Sequence, residues 1–456
     1  METTLAGARN TATQSNRSIV IAAAASCFGW ALDLFDLFIL LYVAPVVGKL
    51  FFPSDHPTLS LAGVYASFAV TLLMRPIGSA LFGSYADRNG RKRAMQIAVF
   101  GVGISTAVFG TLPTIAQAGV IAPILFVLLR LVQGVFVGGV VASSHTLGTE
   151  SVPPHWRGAV SGLIGGGGAG IGGLLASIVF FIASALFPGP QFEVWGWRVM
   201  FFAGLITSLL GALLFLRLEE SPFWKEQHAR KAARKAAVSK QSSPLRTLFS
   251  AEYRRVMIVN VIMTTSSGAG YYLCSGYLPT FLKVVKHLPN GTTSTILMAT
   301  GLLSIAAAIA IGAASDFFGR KKVFIGAGVL RLALLPILYI LMTKTDSAPL
   351  LAGYTLLLAV LGGASYAPLL IFLNERFPTA IRASGTGLSW NIGFALGGMM
   401  PTFVSLLSAN EQQLPATLSW FLLGVSALFL VGAFIVPETR GNLEVSRRSE
   451  AGMPGA

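Results

Sequence analysis

The sequence predicts an all-α polytopic membrane protein, with 12 transmembrane helices arranged as two six-helix pseudo-symmetric halves. Three observations predict it: 54% of the 456 residues are hydrophobic and only 11% charged, apolar segments long enough to cross a bilayer follow one another along the chain, and one loop motif occurs twice. A chain this apolar cannot present a water-soluble surface over such a length. A span needs roughly 17–25 apolar residues. Segments of that kind lie at 19–45, 60–84, 94–112, 119–145, 158–187 and 195–217 in the first half. The second half repeats them at 256–281, 293–315, 323–343, 349–373, 381–408 and 416–436.

Charge sets the expected topology. A net charge of +15 could indicate a nucleic-acid partner, but most of the 33 lysines and arginines fall on the N-terminal side of the spans. That is the positive-inside pattern, so the expected partner is the lipid bilayer and not nucleic acid. Both termini are then cytoplasmic, with the chain in the plasma (inner) membrane. The polar tail 1–18 has no small-residue cleavage site, and no removable signal peptide is expected. The six-helix bundles 19–217 and 256–436 are joined by the basic cytoplasmic segment 218–255, which contains FWKEQHARKAARKAAVSKQ. Lying on the anionic leaflet as an amphipathic helix accounts for that composition. The tail 437–456 is again cytoplasmic. Cys27 and Cys274 both fall within spans and read as small core residues rather than a disulfide.

The first span carries the chemistry. Its run GWALDLFDLFILLY contains Asp33 and Asp36, and an aspartate in hydrocarbon costs roughly 2.5–3.5 kcal/mol even on a lenient insertion scale. Being three apart, both carboxylates leave one helical face, which is expected to turn away from lipid. Counting ~1.5 Å per residue puts Asp36 about 15 Å and Asp33 about 20 Å below the far surface. By the same count Arg130 of span 4 lies about 16 Å deep and Arg75 of span 2 about 22 Å. Depth therefore pairs Asp36 with Arg130 and Asp33 with Arg75. An aspartate beside an arginine holds its charge, whereas one that loses that partner in an apolar cavity takes a proton. An anion competing for the arginine would thus couple its own entry to protonation, with Asp36, Asp33 and Arg130 as the proton-coupling set.

Around these charges stand candidates for contact with a small organic anion. Arg75 and Arg130 offer cations, and Gln133 lies one turn from Arg130 on the same face. Tyr272 belongs to a tyrosine group (Tyr271, Tyr272, Tyr277) around Cys274, and Trp390 with Asn391 forms LSWNIG in span 11. Packing accounts equally well for the aromatics, but an amide in hydrocarbon needs a partner. Arg331 in span 9 has no evident one.

The repeat lies on the cytoplasmic side. GSYADRNGRKR after span 2 contains Gly83, Asp87, Arg88, Gly90 and Arg91; GAASDFFGRKK after span 8 contains Gly312, Asp316, Gly319 and Arg320 at matching spacings. Glu150, Pro153 and Arg157 recur as Glu375, Pro378 and Arg382. Two motifs recurring at nearly one offset indicate a tandem duplication. Asp87 and Asp316 can accept from free amides at a neighbouring helix N-terminus, while Arg91, Arg157, Arg320 and Arg382 can bridge to Glu150 and Glu375. Such contacts would close one side while the other is open.

With these motifs the chain resembles a major facilitator superfamily transporter, over roughly residues 19–445. Within that superfamily it is similar to the metabolite:proton symporters, which include proline/betaine and 2-oxoglutarate carriers. ALDLFDLF, GKLFFP, LLMRPIG, APILFVLLRLVQGVFVGG, VWGWRVMFF, RLEESPFW and YYLCSGYLPTFL carry that likeness. GWALDLFD also resembles the sialate/lactate:proton symporters. The resemblance implies the major facilitator fold and proton-coupled uptake by alternating access. It matches Asp36 to the family's aspartate, Arg130 to a basic position in span 4, and Asn391 to an amide; Asp33 falls where relatives often have glutamate. Where relatives continue span 4 with an acid after two glycines, Val140 follows Gly138 and Gly139 here.

The expected activity is proton symport of a mono- or dicarboxylate by a functional monomer that is not an enzyme. A zwitterionic osmolyte, drug:proton efflux and a membrane nutrient sensor are the alternatives. Gly165, Gly167 and Gly170 form GxGxxG inside an apolar helix, where close helix packing is the better account. The chain has no Walker loop, and its five histidines are dispersed, so neither ATP, a cofactor nor a metal site is expected.

Overall fold

The structure, a computed structural model, describes residues 16–89, 91–150, 152–216, 247–378 and 381–443. Most of the basic segment 218–255 and most of each tail lie outside the described residues.

Each apolar segment is helical. The first half contains α1 (Asn16–Phe51), α2 (Pro57–Asn89), α3 (Arg91–Phe109), α4 (Ile121–Glu150), α5 (157–186) and α6 (Trp197–Leu216). The second contains α7 (251–284), α8 (Asn290–Phe318), α9 (Arg320–Lys344), α10 (348–375), α11 (382–407) and α12 (Leu414–Ile435). An even number of crossings brings the start of α1 and the end of α12 to one face, here called the termini face; the other is the far face. Among the described residues, nine of the 12 helices qualify as spans by length and composition alone. Helix α7 falls short because Asn260, Thr264, Ser266 and Ser267 interrupt its apolar character, yet all four are fully buried in the protein. Thr264, for example, donates to the Ser389 carbonyl of α11 at 2.9 Å.

Polarity is inverted relative to a soluble protein, as lipid requires. Ile206, Leu209 and Leu213 of α6 are more than half exposed, while Asp33, Asp36, Arg75, Arg130 and Arg331 are buried. Helices break where backbone chemistry demands it. Pro53 ends α1, and Gly319, at φ +97°, reverses the chain between α8 and α9. Pi-helical turns interrupt α5 at Leu163–Gly167 and α7 at Tyr272–Gly276, and α10 breaks between Gly363 and Tyr366.

The halves meet along α5 against α8 and α2 against α11. The α5–α8 approach is a small-residue contact: a methyl group added at Gly158 would come within 2.4 Å of the Gly312 carbonyl. At Gly162 it would come within 2.2 Å of the Ala308 carbonyl. The glycine run of α5 is therefore a helix-packing surface. Both ends of the molecule are drawn together. At the far face Tyr65 of α2 hydrogen-bonds Thr280 of α7 at 2.8 Å and stacks on Tyr277. At the termini face Asp316 of α8 accepts from the amides of Gly158 (2.8 Å) and Ala159 (3.0 Å) at the start of α5. Contacts between the halves are thus made at both ends of the molecule.

Candidate functional site: a charged and aromatic centre

Helix α1 places its two acids in different surroundings. Asp33 receives both ends of the Arg75 guanidinium, with two hydrogen bonds of 3.1 Å. This bidentate geometry is the strongest form of such a pair, and both side chains are buried. The depth pairing of Asp33 with Arg75 thus corresponds to a contact in the structure.

The other pairing needs correction. Asp36 makes no ion pair with Arg130; they are joined through a chain of polar side chains. Arg130 Nη1 donates to Gln133 Oε1 at 2.7 Å, and Gln133 Nε2 donates to Thr106 Oγ1 at 2.7 Å. Thr106 in turn lies within electrostatic reach of the Asp36 carboxylate. One Asp36 oxygen, Oδ1, has no hydrogen-bond partner, nor do Nε and Nη2 of Arg130. The reason is azimuth: counting residues gives height along a helix, not the direction a side chain leaves it. Arg130 turns onto the faces of Phe109 and Phe126, 4.1 and 5.2 Å from their centroids. That cation–π seat keeps it and Gln133 among helices of the first half. Thr106 was passed over at the sequence level because an uncharged hydroxyl in span 3 gives no signal of its own.

The centre between the halves is aromatic. Trp30 of α1 donates to the Tyr366 hydroxyl of α10 at 3.1 Å. Trp390 packs edge-on against Trp30 (5.4 Å) and Tyr366 (5.0 Å) and stacks on Phe394. Tyr271 meets Tyr366 at 5.2 Å, and Tyr272 lies between Phe68 and Phe394. Tyr272 and Trp390 are thus part of this cluster; Trp30 and Tyr366, absent from the sequence-level candidates, complete it. Asn391 reaches across the seam, its amide donating to Ser79 of α2 at 3.4 Å while its Oδ1 stays unpartnered. A small cavity of about 50 Å³ remains beside the cluster, with Phe38, Tyr42, Tyr271, Ser275 and Tyr366 in its wall. A larger cleft of about 690 Å³ opens at the far face, between Lys49, Glu193, Lys283 and His287.

At the termini face, Arg320 bonds Asp316 at 2.8 Å and Glu375 at 3.2 Å. Gly319 is the left-handed residue that turns Arg320 back toward them. Arg382 donates to the carbonyls of Asn374 and Phe377 at the end of α10, each at 3.2 Å. Arg157 is buried at the start of α5. In the first copy of the motif, Gly90, the surroundings of Gly83 and the side chains of Asp87, Arg88, Arg91 and Glu150 lie outside the described residues. Beyond the motif, Glu438 accepts from the backbone amides of Arg320 (2.9 Å) and Lys321 (3.2 Å). Burial alone would raise its carboxyl, but these two amides and those of Thr439 and Arg440 hold it below the ordinary glutamate value. Cys27 and Cys274 are buried free thiols, and among the described residues no His/Cys/Asp/Glu cluster could hold a metal.

Comparison with known proteins agrees with this architecture. Escherichia coli (strain K12) inner membrane metabolite transport protein YhjE is 31% identical over 422 residues, 91% of this chain and 93% of that protein. The glycine betaine/proline/ectoine/pipecolic acid transporter OusA of Dickeya dadantii is 28% identical, covering 92% of this chain and 83% of its own. Among solved structures, a D-xylose-proton symporter superposes with a TM-score of 0.73 at 19% identity, over 93% of this chain and 99% of that one. The inward-open, partially occluded xylose transporter XylE from E. coli gives 0.70 at 20%, with the same coverage. The fold is that of the major facilitator superfamily with its 12 transmembrane helices. The family described as Sugar (and other) transporter matches residues 19–444, and this chain belongs to it: an integral, multi-pass membrane transporter of small solutes, and not an enzyme.

Proposed function

We propose that this transporter imports a small carboxylate-bearing solute together with protons by alternating access, with its termini face in the cytoplasm. Asp36 carries the coupling part of this reading. It is a buried carboxyl beside Thr106 with its Oδ1 unpartnered, and Thr106 is linked through Gln133 to a cation that no carboxylate holds directly. Such a group can take a proton in one arrangement of the helices and give it up in another, as the polar chain shortens or parts. Asp33 and Arg75 face the aromatic centre as a second charge pair that cargo can open. The charge balance supports the substrate class. Among the described residues, the middle of the membrane buries three guanidinium groups, Arg75, Arg130 and Arg331, against two carboxylates, Asp33 and Asp36. An anionic cargo evens that count. In this reading Arg75, Tyr272, Trp390 and Asn391 contact cargo, while Arg130 and Gln133 serve the proton site.

A zwitterion such as betaine or proline is the second reading. The meeting of Trp30, Trp390, Phe394 and Tyr366 favours it, because aromatic faces accept a quaternary or secondary ammonium, and OusA is named for such solutes. Proteoliposome uptake of lactate, 2-oxoglutarate, glycine betaine, proline and, as a neutral control, xylose separates the two. Preference for xylose would overturn both. For the chosen cargo, adding it to unbuffered vesicles should draw protons inward with the native chain. Asp36→Asn should abolish that signal and retain cargo counterflow; undiminished proton uptake in Asp36→Asn rejects the coupling assignment.

A further inference from the structure

Arg331 lies in the middle of α9 and is 0% exposed. Nη1 donates to Ser365 Oγ at 2.5 Å, Nη2 donates to the Ser266 carbonyl at 3.1 Å, and the guanidinium lies 4.7 Å from the centroid of Phe429. Nε has no partner. The titratable group in its electrostatic range is Cys274, and among the described residues no carboxylate pairs with it. A cation taken out of water with neither counter-ion nor full hydrogen bonding is an expensive arrangement for packing alone.

Its partners stand where the cavity-lining helices are irregular. Ser365 sits in the break of α10, immediately before Tyr366, and Ser266 lies nearly two turns before the π turn of α7. Ser365 Oγ is also 2.7 Å from Ser267 Oγ. A hydroxyl has a single proton. Once Ser365 accepts from Arg331, it can pass its own proton to Ser267, whose proton is then free to donate onward. Ser267, Tyr271 and Ser275 follow one another at four-residue intervals and so share a face of α7. Tyr271 and Ser275 line the small cavity beside the aromatic cluster, and Ser267 lies one turn before Tyr271 on that face.

We infer that Arg331 is the positioning residue of a carboxylate subsite on the second half of the molecule, acting through Ser365 and Ser267 at the α7–α10 wall of the cavity. The arginine polarises the two hydroxyls toward donation, and its uncompensated charge makes this wall favour a carboxylate over a neutral group of the same shape. The inference rests on the carboxylate reading above and adds a carboxylate contact on the second half to that of Arg75 on the first.

The test compares acid with amide on the full chain in proteoliposomes: proline against prolinamide, and lactate against lactamide, each as competitor of labelled uptake. The native chain should prefer the acid. In Arg331→Gln that preference should fall by about tenfold, the discrimination of one charge-assisted hydrogen bond. Arg331→Lys should recover part of it, and Ser267→Ala should reduce it without changing thermal stability. Equal preference in Arg331→Gln and the native chain overturns the inference. If Arg331→Gln does not fold, native preference in Ser267→Ala overturns it instead. A native chain that treats acid and amide alike refutes the carboxylate reading itself, a result distinguishable from either.

Discussion

Asp33 and Arg75 illustrate how a buried pair is anchored by what its loss would leave behind. Both side chains are nearly inaccessible, so removing one partner strands the other in a low-dielectric interior at a cost of about 3–5 kcal/mol. Asp33→Ala or Arg75→Ala alone should therefore lower the melting temperature in detergent sharply. The pair replacement Asp33→Asn with Arg75→Met should recover most of the loss, because no charge remains unpaired. A double variant as unstable as the sum of the singles would show that the two act independently. The pair was legible in the sequence because depth alone brings two opposite charges to one level. The Asp36 arrangement was only half legible: its burial followed from its place in an apolar span, but its neighbour Thr106 did not.

Among elements, the segment following α12 joins the contacts of the termini face. Glu438 caps the free amides at the start of α9, Thr439 donates to Glu375 at 2.8 Å, and Arg440 donates to the carbonyls of Asp316 and Phe317. The segment is thereby tied to the Asp316–Arg320–Glu375 cluster, whose Asp316 in turn caps α5 across the seam. Because the Glu438 carboxyl is held low in the folded chain, its contribution is complete above the ordinary glutamate range. It is lost as pH falls through the depressed folded value. Glu438→Gln should therefore melt below the native chain at pH 7, with the difference disappearing on strong acidification; a gap that persists in acid would assign the effect to shape rather than charge. Asp316→Ala should weaken closure of the termini face. Losing such a cap costs about 0.5–2 kcal/mol, enough to bias the molecule toward opening on that side. The check is initial uptake rate per amount of protein in the membrane, which should fall while expression holds.

In the whole molecule, the proposed alternating-access cycle has the two ends part in turn. Tyr65 and Thr280 tie the far face, with their oxygens 2.8 Å apart. Cysteines at these two positions, in a chain with Cys27 and Cys274 replaced by alanine, should arrest uptake when bridged by a bifunctional thiol reagent long enough to span the gap the tyrosine ring fills, and release it on reduction. Cross-linked protein that still transports at the native rate would mean that the halves do not separate there. The glycine contacts of α5 with α8 supply the opposing tie. A surface without side chains can approach closely and part again with little rearrangement, which suits a seam that must open.

By itself, the sequence determined the number of spans, the duplication and the superfamily, along with the residues that must avoid lipid. Each follows from composition, from period or from a motif repeated along one dimension. The tertiary structure alone decided which of those residues touch. It placed a hydroxyl and an amide between Asp36 and Arg130, brought Trp30 and Tyr366 into the centre, and seated Arg331 against the breaks of α7 and α10. The difference is geometric: position along a helix can be counted from the chain, but the direction a side chain takes depends on the helices packed around it.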